Sequence, residues 1–134
     1  MKTPIIGAIE GGLDVKARAK SVKEVTSMNV DAFLLDGFHN NGPATENIKF
    51  ESFSPVLQDV MAQLPANKPK CYFGISNPAL VLKMVKAGVD IFDCSYPYAV
   101  TERDSALVFL NKFCPLEPSE DDSFPTGNSD TFEN

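Results

Sequence analysis

The sequence has few of the residues that build disulfide frameworks or zinc sites. Its three cysteines (Cys71, Cys94 and Cys114) are far apart, odd in number and never part of a C-x-x-C pair. This pattern favours a reducing compartment and gives no metal site that can be recognised from spacing. The sequence also has no long apolar run for a membrane span, and its N-terminus lacks the basic-then-apolar order of a signal peptide. We therefore expect a cytoplasmic protein without a membrane span and with no metal bound by these residues.

Basic residues are absent from the last part of the chain. Residues 115–134 contain six of the 18 acids and none of the 12 Lys and Arg residues, so residues 1–114 are electrically balanced. A neutral body with an acidic tail argues against tight nucleic-acid binding by this chain alone, because such affinity depends on neutralising phosphates. The change in composition predicts a folded domain over residues 1–112 and a disordered acidic tail over residues 113–134.

Short apolar runs alternate with segments of helical spacing along the first 110 residues. The runs that predict strands are residues 4–9, 31–35, 71–75, 89–92 and 106–110. Helices are predicted after the capping residue Asp14, over residues 50–64, and after the pair Asn77-Pro78. No G-x-G-x-x-G or Walker A sequence is present, so nothing indicates a nucleotide site.

This alternation is typical of right-handed βαβ units on a parallel sheet. It predicts an α/β fold of about four to five parallel strands with three helices, which is roughly half of a (β/α)₈ TIM barrel. A small, open, doubly wound sheet is the alternative architecture.

The central stretch of the sequence is residues 88–98. Gly88 is predicted to end a helix, a short strand follows, and Asp93 comes at the carboxyl end of that strand, where parallel α/β folds place their chemistry. The alternative is that Asp93 only caps the next loop.

Polar groups follow the other predicted strands as well. They are residues 10–12 (Glu-Gly-Gly), residues 36–42 and residues 74–76. All parallel strands point their carboxyl ends to one side, so these groups are expected to meet around one pocket with Asp93. His39, the one histidine of the chain, is either an exposed loop residue or a functional one.

These motifs, in this order, resemble the tRNA-guanine (queuine) transglycosylase family. The family motifs V-Q-G-G, G-G-[LF]-[SA]-V-G-E, M-G-[VI]-G-x-P and V-D-[ML]-F-D-C-x-x-P-T-R are matched in order by residues 9–12, 36–42, 73–78 and 89–97. Each motif is weak by itself, but four in order with matching spacing are specific. The resemblance spans about residues 4–110.

The resemblance implies a (β/α)₈ barrel and the exchange of guanine for queuine at the wobble position of tRNA. Asp93 matches the nucleophile of the catalytic members, which attacks the ribose carbon of a base taken out of its stack. The residues that match the base-binding positions are Glu10, Gly11, Gly12, Gly37 and Phe38.

The departures from the family motifs indicate a different role. Glu10 replaces a Gln that both donates and accepts hydrogen bonds, whereas a carboxylate only accepts. Asp36 replaces a Gly beside the base, and residues 97–103 (Pro-Tyr-Ala-Val-Thr-Glu-Arg) replace P-T-R-N-A-R-N, whose arginines face the RNA. These changes make the chain look like a fragment of a non-catalytic accessory subunit of this family.

That resemblance implies a heterodimer with a catalytic subunit, contact with tRNA through the complex, no cofactor in this fragment, and zinc in a full-length parent. One alternative is a fragment of a catalytic transglycosylase in which Asp93 is the nucleophile. Another is an unrelated small α/β domain that binds phosphate at the Gly11-Gly12 turn.

Overall fold

The computed structural model describes residues 2–39, 45, 47–74 and 76–107. The contacts divide the chain into two compact units, the first ending at Ser95 and the second beginning at Tyr96. Each unit is described separately.

The first unit contains one sheet of four parallel strands. The strands are β1 (Ile6–Ile9), β2 (Ala32–Leu35), β3 (Lys70–Tyr72) and β4 (Ile91–Phe92). Their order in the sheet is the order in the sequence, β1-β2-β3-β4. A doubly wound sheet reverses its strand order, whereas a barrel adds each strand on the same side. The predicted α/β class is confirmed, and the open sheet is compatible with part of a (β/α)₈ barrel.

Three helices follow the first three strands, and their capping residues explain where two of them begin. They are α1 (Val15–Thr26), α2 (Ser54–Gln63) and α3 (Pro78–Lys86). The side chain of Asp14 accepts the N–H groups of Lys16 and Ala17 at the start of α1, and Asn77 accepts the N–H of Leu80 at the start of α3. Both predicted caps are confirmed.

Helix α2 begins later than the predicted residue 50. Residues Phe50–Ser52 form a separate 3-10 turn, and Phe53 interrupts it with φ −128°. Pro55 lies in the first turn of α2, where its missing N–H costs nothing because the first N–H groups of a helix have no intrahelical acceptor.

The end of α3 is set by Gly88. Its φ is +96°, and its N–H donates to the carbonyl of Val85 while that of Val89 donates to the carbonyl of Met84. This pair of bonds is a Schellman motif, which satisfies the last carbonyls and turns the chain into β4. The predicted left-handed helix end is confirmed.

The core lies between the sheet and the three helices. It is formed by Ile9, Val22, Val30, Phe33, Leu35, Phe38, Phe53, Leu57, Val60, Leu64, Tyr72, Leu80, Met84 and Val89. Some apolar residues of the helices do not face this core: Val15, Leu82 and Val85 are exposed. Each of these helices buries a narrow stripe, such as Leu80 and Met84 on α3, and its other apolar positions face away from the core.

The continuous apolar run over residues 4–9 is typical of a strand buried on both faces, and this interpretation was wrong. Ile5 and Ile6 are about half exposed, at 52% and 48%, and β1 is an edge strand of the described sheet.

The second unit begins within helix α4 (Ser95–Thr101), which the sequence did not predict. Pro97 is the third residue of this helix, where it is tolerated for the same reason as Pro55. Ala106 and Leu107 are not in a strand, and the rest of the predicted fifth strand lies outside the described residues. The boundary at residue 112 and the predicted disordered tail also lie outside them. No helix among the residues that the structure covers is long and apolar enough to cross a membrane.

Candidate functional site

The carboxyl ends of the four strands lie along one edge of the sheet. Ile9 pairs with Leu35, and Tyr72 pairs with Phe92. The pairing of Leu34 with Cys71 places Leu35 beside Tyr72 in the same way. One further step along each strand gives what we call the rim row: Glu10, Asp36, Phe73 and Asp93. The strand register therefore brings together the segments that the sequence predicted to meet.

Asp93 ties two neighbouring loops of this edge together. Its Oδ2 accepts a hydrogen bond of 2.9 Å from the N–H of Gly74, and its Oδ1 accepts one of 3.3 Å from the N–H of Ser95. The second bond is the loop-capping role considered above, and the first anchors the loop after β3. Both oxygens of the exposed carboxylate are thus in use within the protein.

The two glycines after β1 have different roles. At Gly11, with φ +133°, a Cβ would lie 2.9 Å from the backbone N of Arg18, so glycine is required because α1 packs directly against the turn. At Gly12, with φ +56°, the nearest atom to a Cβ would be the carbonyl oxygen of Gly37 at 3.9 Å. A Cβ at Gly12 would therefore make only an ordinary van der Waals contact, whereas one at Gly11 would clash with α1. Glu10, beside them, is exposed, and its N–H donates to the hydroxyl of Ser21.

Asp36 and Gly37 form a tight local contact at the end of β2. The N–H of Gly37 donates to Oδ1 of Asp36 at 2.7 Å. Gly37 has φ +73°, and a Cβ there would lie 3.6 Å from Nη2 of Arg18 and 3.7 Å from the backbone N of Gly12. The turns after β1 and β2 therefore approach each other through glycines.

Phe38, a predicted base-binding residue, is located in the core. Its exposed fraction is 5%, its ring centroid lies 5.2 Å from that of Phe53, and the Cζ of Arg18 lies 3.9 Å above it. The Phe38 ring therefore packs in the core, and its role in base binding remains a prediction.

Arg18 is the residue that sequence reasoning missed. It is 1% exposed, and its guanidinium donates to the carbonyls of Gly12, at 2.8 Å, and Ile9. Burial lowers the pKa of this guanidinium, while the carboxylates of Asp36 and Glu10 raise it. Position 18 lies on the same helical face as Val22 and Val25, so the sequence places an arginine among apolar residues. That placement was the available signal that Arg18 is buried.

His39 is half-buried and bonded to the main chain, so the interpretation as an exposed loop residue was wrong. Its Nε2 lies 3.0 Å from the carbonyl oxygen of Phe73, which can only accept, so Nε2 carries the proton. The imidazole packs edge-on against Tyr72, with ring centroids 5.5 Å apart. It joins the loop after β2 to the loop after β3.

Tyr72 carries a neutral hydroxyl close to two carboxylates of the rim row. Burial raises the pKa of Tyr72 to about 12, and the charges of Asp93 and Asp36 add to the effect. The hydroxyl has no hydrogen-bond partner.

Four buried polar atoms of the described residues lack a partner. They are Arg18 Nη2, His39 Nδ1, Tyr72 Oη and Ser76 Oγ. Buried polar atoms are normally satisfied, so unpartnered ones indicate places for bound water or a ligand. No group of three His, Cys, Asp or Glu side chains that could hold a metal ion occurs in the part of the chain the structure covers.

Comparison with known proteins gives consistent matches. The family model of queuine tRNA-ribosyltransferase matches residues 1–127. A protein of Ixodes scapularis named queuine tRNA-ribosyltransferase accessory subunit 2 is 44% identical over 105 residues, covering 78% of this chain and 27% of its own length. The human protein of the same name is 42% identical over 114 residues, covering 85% and 26%. That of Xenopus laevis is 42% identical over 122 residues, covering 87% and 28%. The chain thus spans about a quarter of the length of these relatives.

Proposed function

We propose, from the premise that this chain belongs to the queuine tRNA-ribosyltransferase family, that it acts within a non-catalytic accessory subunit of such an enzyme. In this role it supports the exchange of guanine for queuine at the wobble position of tRNA without carrying out the exchange. The names of the relatives support the accessory role, and the geometry of Asp93 supports it independently.

The observation that carries this proposal is the use of both Asp93 oxygens as backbone acceptors. A nucleophilic carboxylate must bring an oxygen to the ribose carbon and transfer electron density to it. Here Oδ2 accepts the N–H of Gly74 and Oδ1 accepts the N–H of Ser95, so the carboxylate links two backbone segments of the rim. These two bonds support a structural role for the acid at the nucleophile position.

The partners follow from the accessory role. We propose a heterodimer with a catalytic subunit in the cytoplasm, and contact with tRNA through the complex. The balanced charge of residues 1–114 supports this division of labour, because a chain without excess basic residues gains little from phosphate contacts by itself.

We also propose that the zinc implied by the resemblance is bound by residues other than those described. Zinc sites are built from four Cys, His or carboxylate ligands. Cys71 is buried and Cys94 is exposed, and both are free thiols. No three suitable side chains come together in the described ranges.

The proposal is tested by reconstituting the protein with a catalytic subunit and guanine-containing tRNA. Association is measured by co-elution, exchange by incorporation of labelled base, and covalent intermediates by denaturing electrophoresis. We expect co-elution, exchange, and an RNA adduct on the catalytic subunit alone. An RNA adduct on this protein that disappears with Asp93→Asn would overturn the non-catalytic role, and failure to associate would overturn the accessory one.

A further inference from the structure

The sheet of the first unit has a second face, opposite to the one that packs against the three helices. Successive residues of a strand point to opposite faces, so the strand residues next to those of the core point to this second face. All of them are apolar: Ile6, Ala8, Ala32, Leu34, Cys71 and Ile91. Ala32 and Cys71, on the inner strands, are buried, whereas Ile6 and Ile91, on the edge strands, are 48% and 44% exposed. The second face is therefore open at its two edges, although parallel sheets are normally covered on both faces.

The two edges of the sheet are complementary to each other. No strand of the described residues pairs with the outer side of β1 or of β4, and such edges can pair with a strand of another chain. All four strands are parallel, so the outer side of β4 in one copy can continue directly into the outer side of β1 in another. Two copies of four strands give eight, the number at which a parallel barrel closes with an interior filled by side chains. A twofold axis along such a barrel makes both β4–β1 seams identical and leaves no edge free.

The shapes at the amino ends of the two edge strands also match. A groove of about 340 Å³ lies beside the amino end of β4, and it is lined by Ala66, Asn67, Lys68, Pro69, Asp90 and Ile91. At the amino end of β1, the apolar side chains of Ile5 and Ile6 are about half exposed. A parallel seam brings these two ends together, so the groove of one copy faces the exposed isoleucines of the other.

A pair of opposite charges lies at the same place. In an eight-stranded barrel of shear 8, half of the circuit moves the register by about four residues, towards the amino end because barrel strands tilt in a right-handed sense. Asp90 is level with Gly7 in its own sheet, so it comes level with about residue 3 of the second copy. Lys2 is adjacent to that position. Its side chain is 67% exposed, and its Nζ lies 3.8 Å from Oδ1 of Asp31. Because Asp90 is also exposed, each seam brings a lysine and an aspartate together.

We propose that two copies of this chain close one eight-stranded parallel barrel through two β4–β1 seams. The second face of each copy forms half of the barrel interior, and the occupant of the open face is a second copy of the chain. This assembly goes beyond the proposed function, and neither depends on the other.

The test measures the mass of the purified 134-residue chain by sedimentation equilibrium over a range of concentrations. The wild type is expected to be a dimer. Ile6→Lys and Ile91→Glu each place two unpaired charges in the barrel interior, and each should raise the dissociation constant of the dimer at least about 100-fold. An equimolar mixture of the two variants should regain the dimer, because one seam is then wild type and the other carries both charges. Leu82→Lys, at an exposed position of α3, is the control and should leave the dissociation constant unchanged.

Hydrogen exchange of the wild type gives a second measurement that needs no variant. On dilution below the dissociation constant, the amides of β1 and β4 should lose more protection than those of β2, which is paired on both sides in each copy. A monomer at all concentrations, or an open series of larger oligomers, would overturn the proposal. It would also be overturned if Leu82→Lys weakened the dimer as much as Ile6→Lys, if folded variants did not dimerise on mixing, or if the edge strands gained no protection in the dimer.

Discussion

The backbone N–H of Gly74 donates a 2.9 Å hydrogen bond to Oδ2 of Asp93, 19 residues later in the chain. The bond joins the loop after β3 to the loop after β4 directly. Because Oδ1 of the same carboxylate holds the N–H of Ser95, a single side chain fixes two backbone segments at the rim. The family's nucleophile position therefore has a structural role in this chain.

Substitution of Asp93 measures that structural role. Asp93→Ala removes the acceptors of two backbone N–H groups and should lower the free energy of unfolding by about 1–2 kcal/mol. Asp93→Asn keeps one acceptor oxygen and should lose about half as much. Urea unfolding of the purified protein checks both values, with Asp59→Ala on the exposed side of α2 as a control that changes stability by less than about 0.5 kcal/mol. Equal losses for Asp93→Ala and Asp93→Asn would refute the role.

Gly74 has to remain a glycine because His39 lies against it. A Cβ at Gly74 would come within 2.6 Å of Nε2 of His39, and its φ of +154° also disfavours a side chain. Gly74→Ala should therefore cost about 1–3 kcal/mol of unfolding free energy and displace the imidazole from the Phe73 carbonyl.

A double-mutant cycle separates the two causes of that cost. In a His39→Ala background the steric part disappears, so Gly74→Ala should cost at least about 0.5 kcal/mol less than in the wild type. Additive effects of the two substitutions would show that the imidazole does not restrain Gly74. Differential scanning fluorimetry followed by denaturant titration gives the four free energies.

Arg18 should contribute more to stability than any exposed basic residue of α1. Arg18→Met fills similar volume but leaves the carbonyls of Ile9 and Gly12 without their donors, and we expect a loss of about 2–4 kcal/mol. Arg18→Lys should also be destabilised, because a single ammonium cannot reproduce the fork that serves two carbonyls. Lys16→Met, on an exposed position of the same helix, is the control and should change unfolding free energy by less than about 0.5 kcal/mol. Similar losses at positions 16 and 18 would contradict this assignment.

The raised pKa of Tyr72 predicts that the protein loses stability at high pH. Its pKa is about 12 in the folded protein against an ordinary value of 10, so between these pH values the unfolded chain loses a proton that the folded chain keeps. The stabilisation is fully present below pH 10 and is lost as the pH rises towards 12, with a slope of at most about 1.4 kcal/mol per pH unit.

The measurement is chemical denaturation at several pH values from 9 upwards, in the wild type and in Tyr72→Phe. The variant should lose this slope, and it should be no less stable than the wild type near neutral pH, because the hydroxyl it removes is buried without a partner. Tyr98→Phe, at a position that is 68% exposed, is the control and should keep the slope. An unchanged slope in Tyr72→Phe would show that another group is responsible.

Local chemistry was the part of the fold that the sequence predicted well. The caps at Asp14 and Asn77 and the glycine that ends α3 are decided within a few residues, because they satisfy N–H and carbonyl groups of their own helix. The meeting of the strand ends was also predictable, since parallel strands joined by helices must point the same way.

Contacts between segments far apart in the chain were not predictable in the same way. The burial of Arg18, the position of Phe38 in the core and the packing of His39 against Gly74 depend on how closely two turns approach. These three contacts are set by the close packing of glycine turns from different parts of the chain, which the local sequence does not specify.

The sequence by itself determined the α/β class, the capped starts of α1 and α3, the glycine end of α3 and the family, because periodicity, capping residues and four ordered motifs are properties of short stretches of chain. Only the tertiary structure decided what the rim residues do. The sequence places carboxylates at two motif positions, Asp36 and Asp93. Whether each carboxylate is free or bonded depends on which N–H groups lie within about 3 Å of its oxygens. In this protein backbone N–H groups lie there, so the carboxylate at the nucleophile position and the one next to Gly37 both bond to the protein itself.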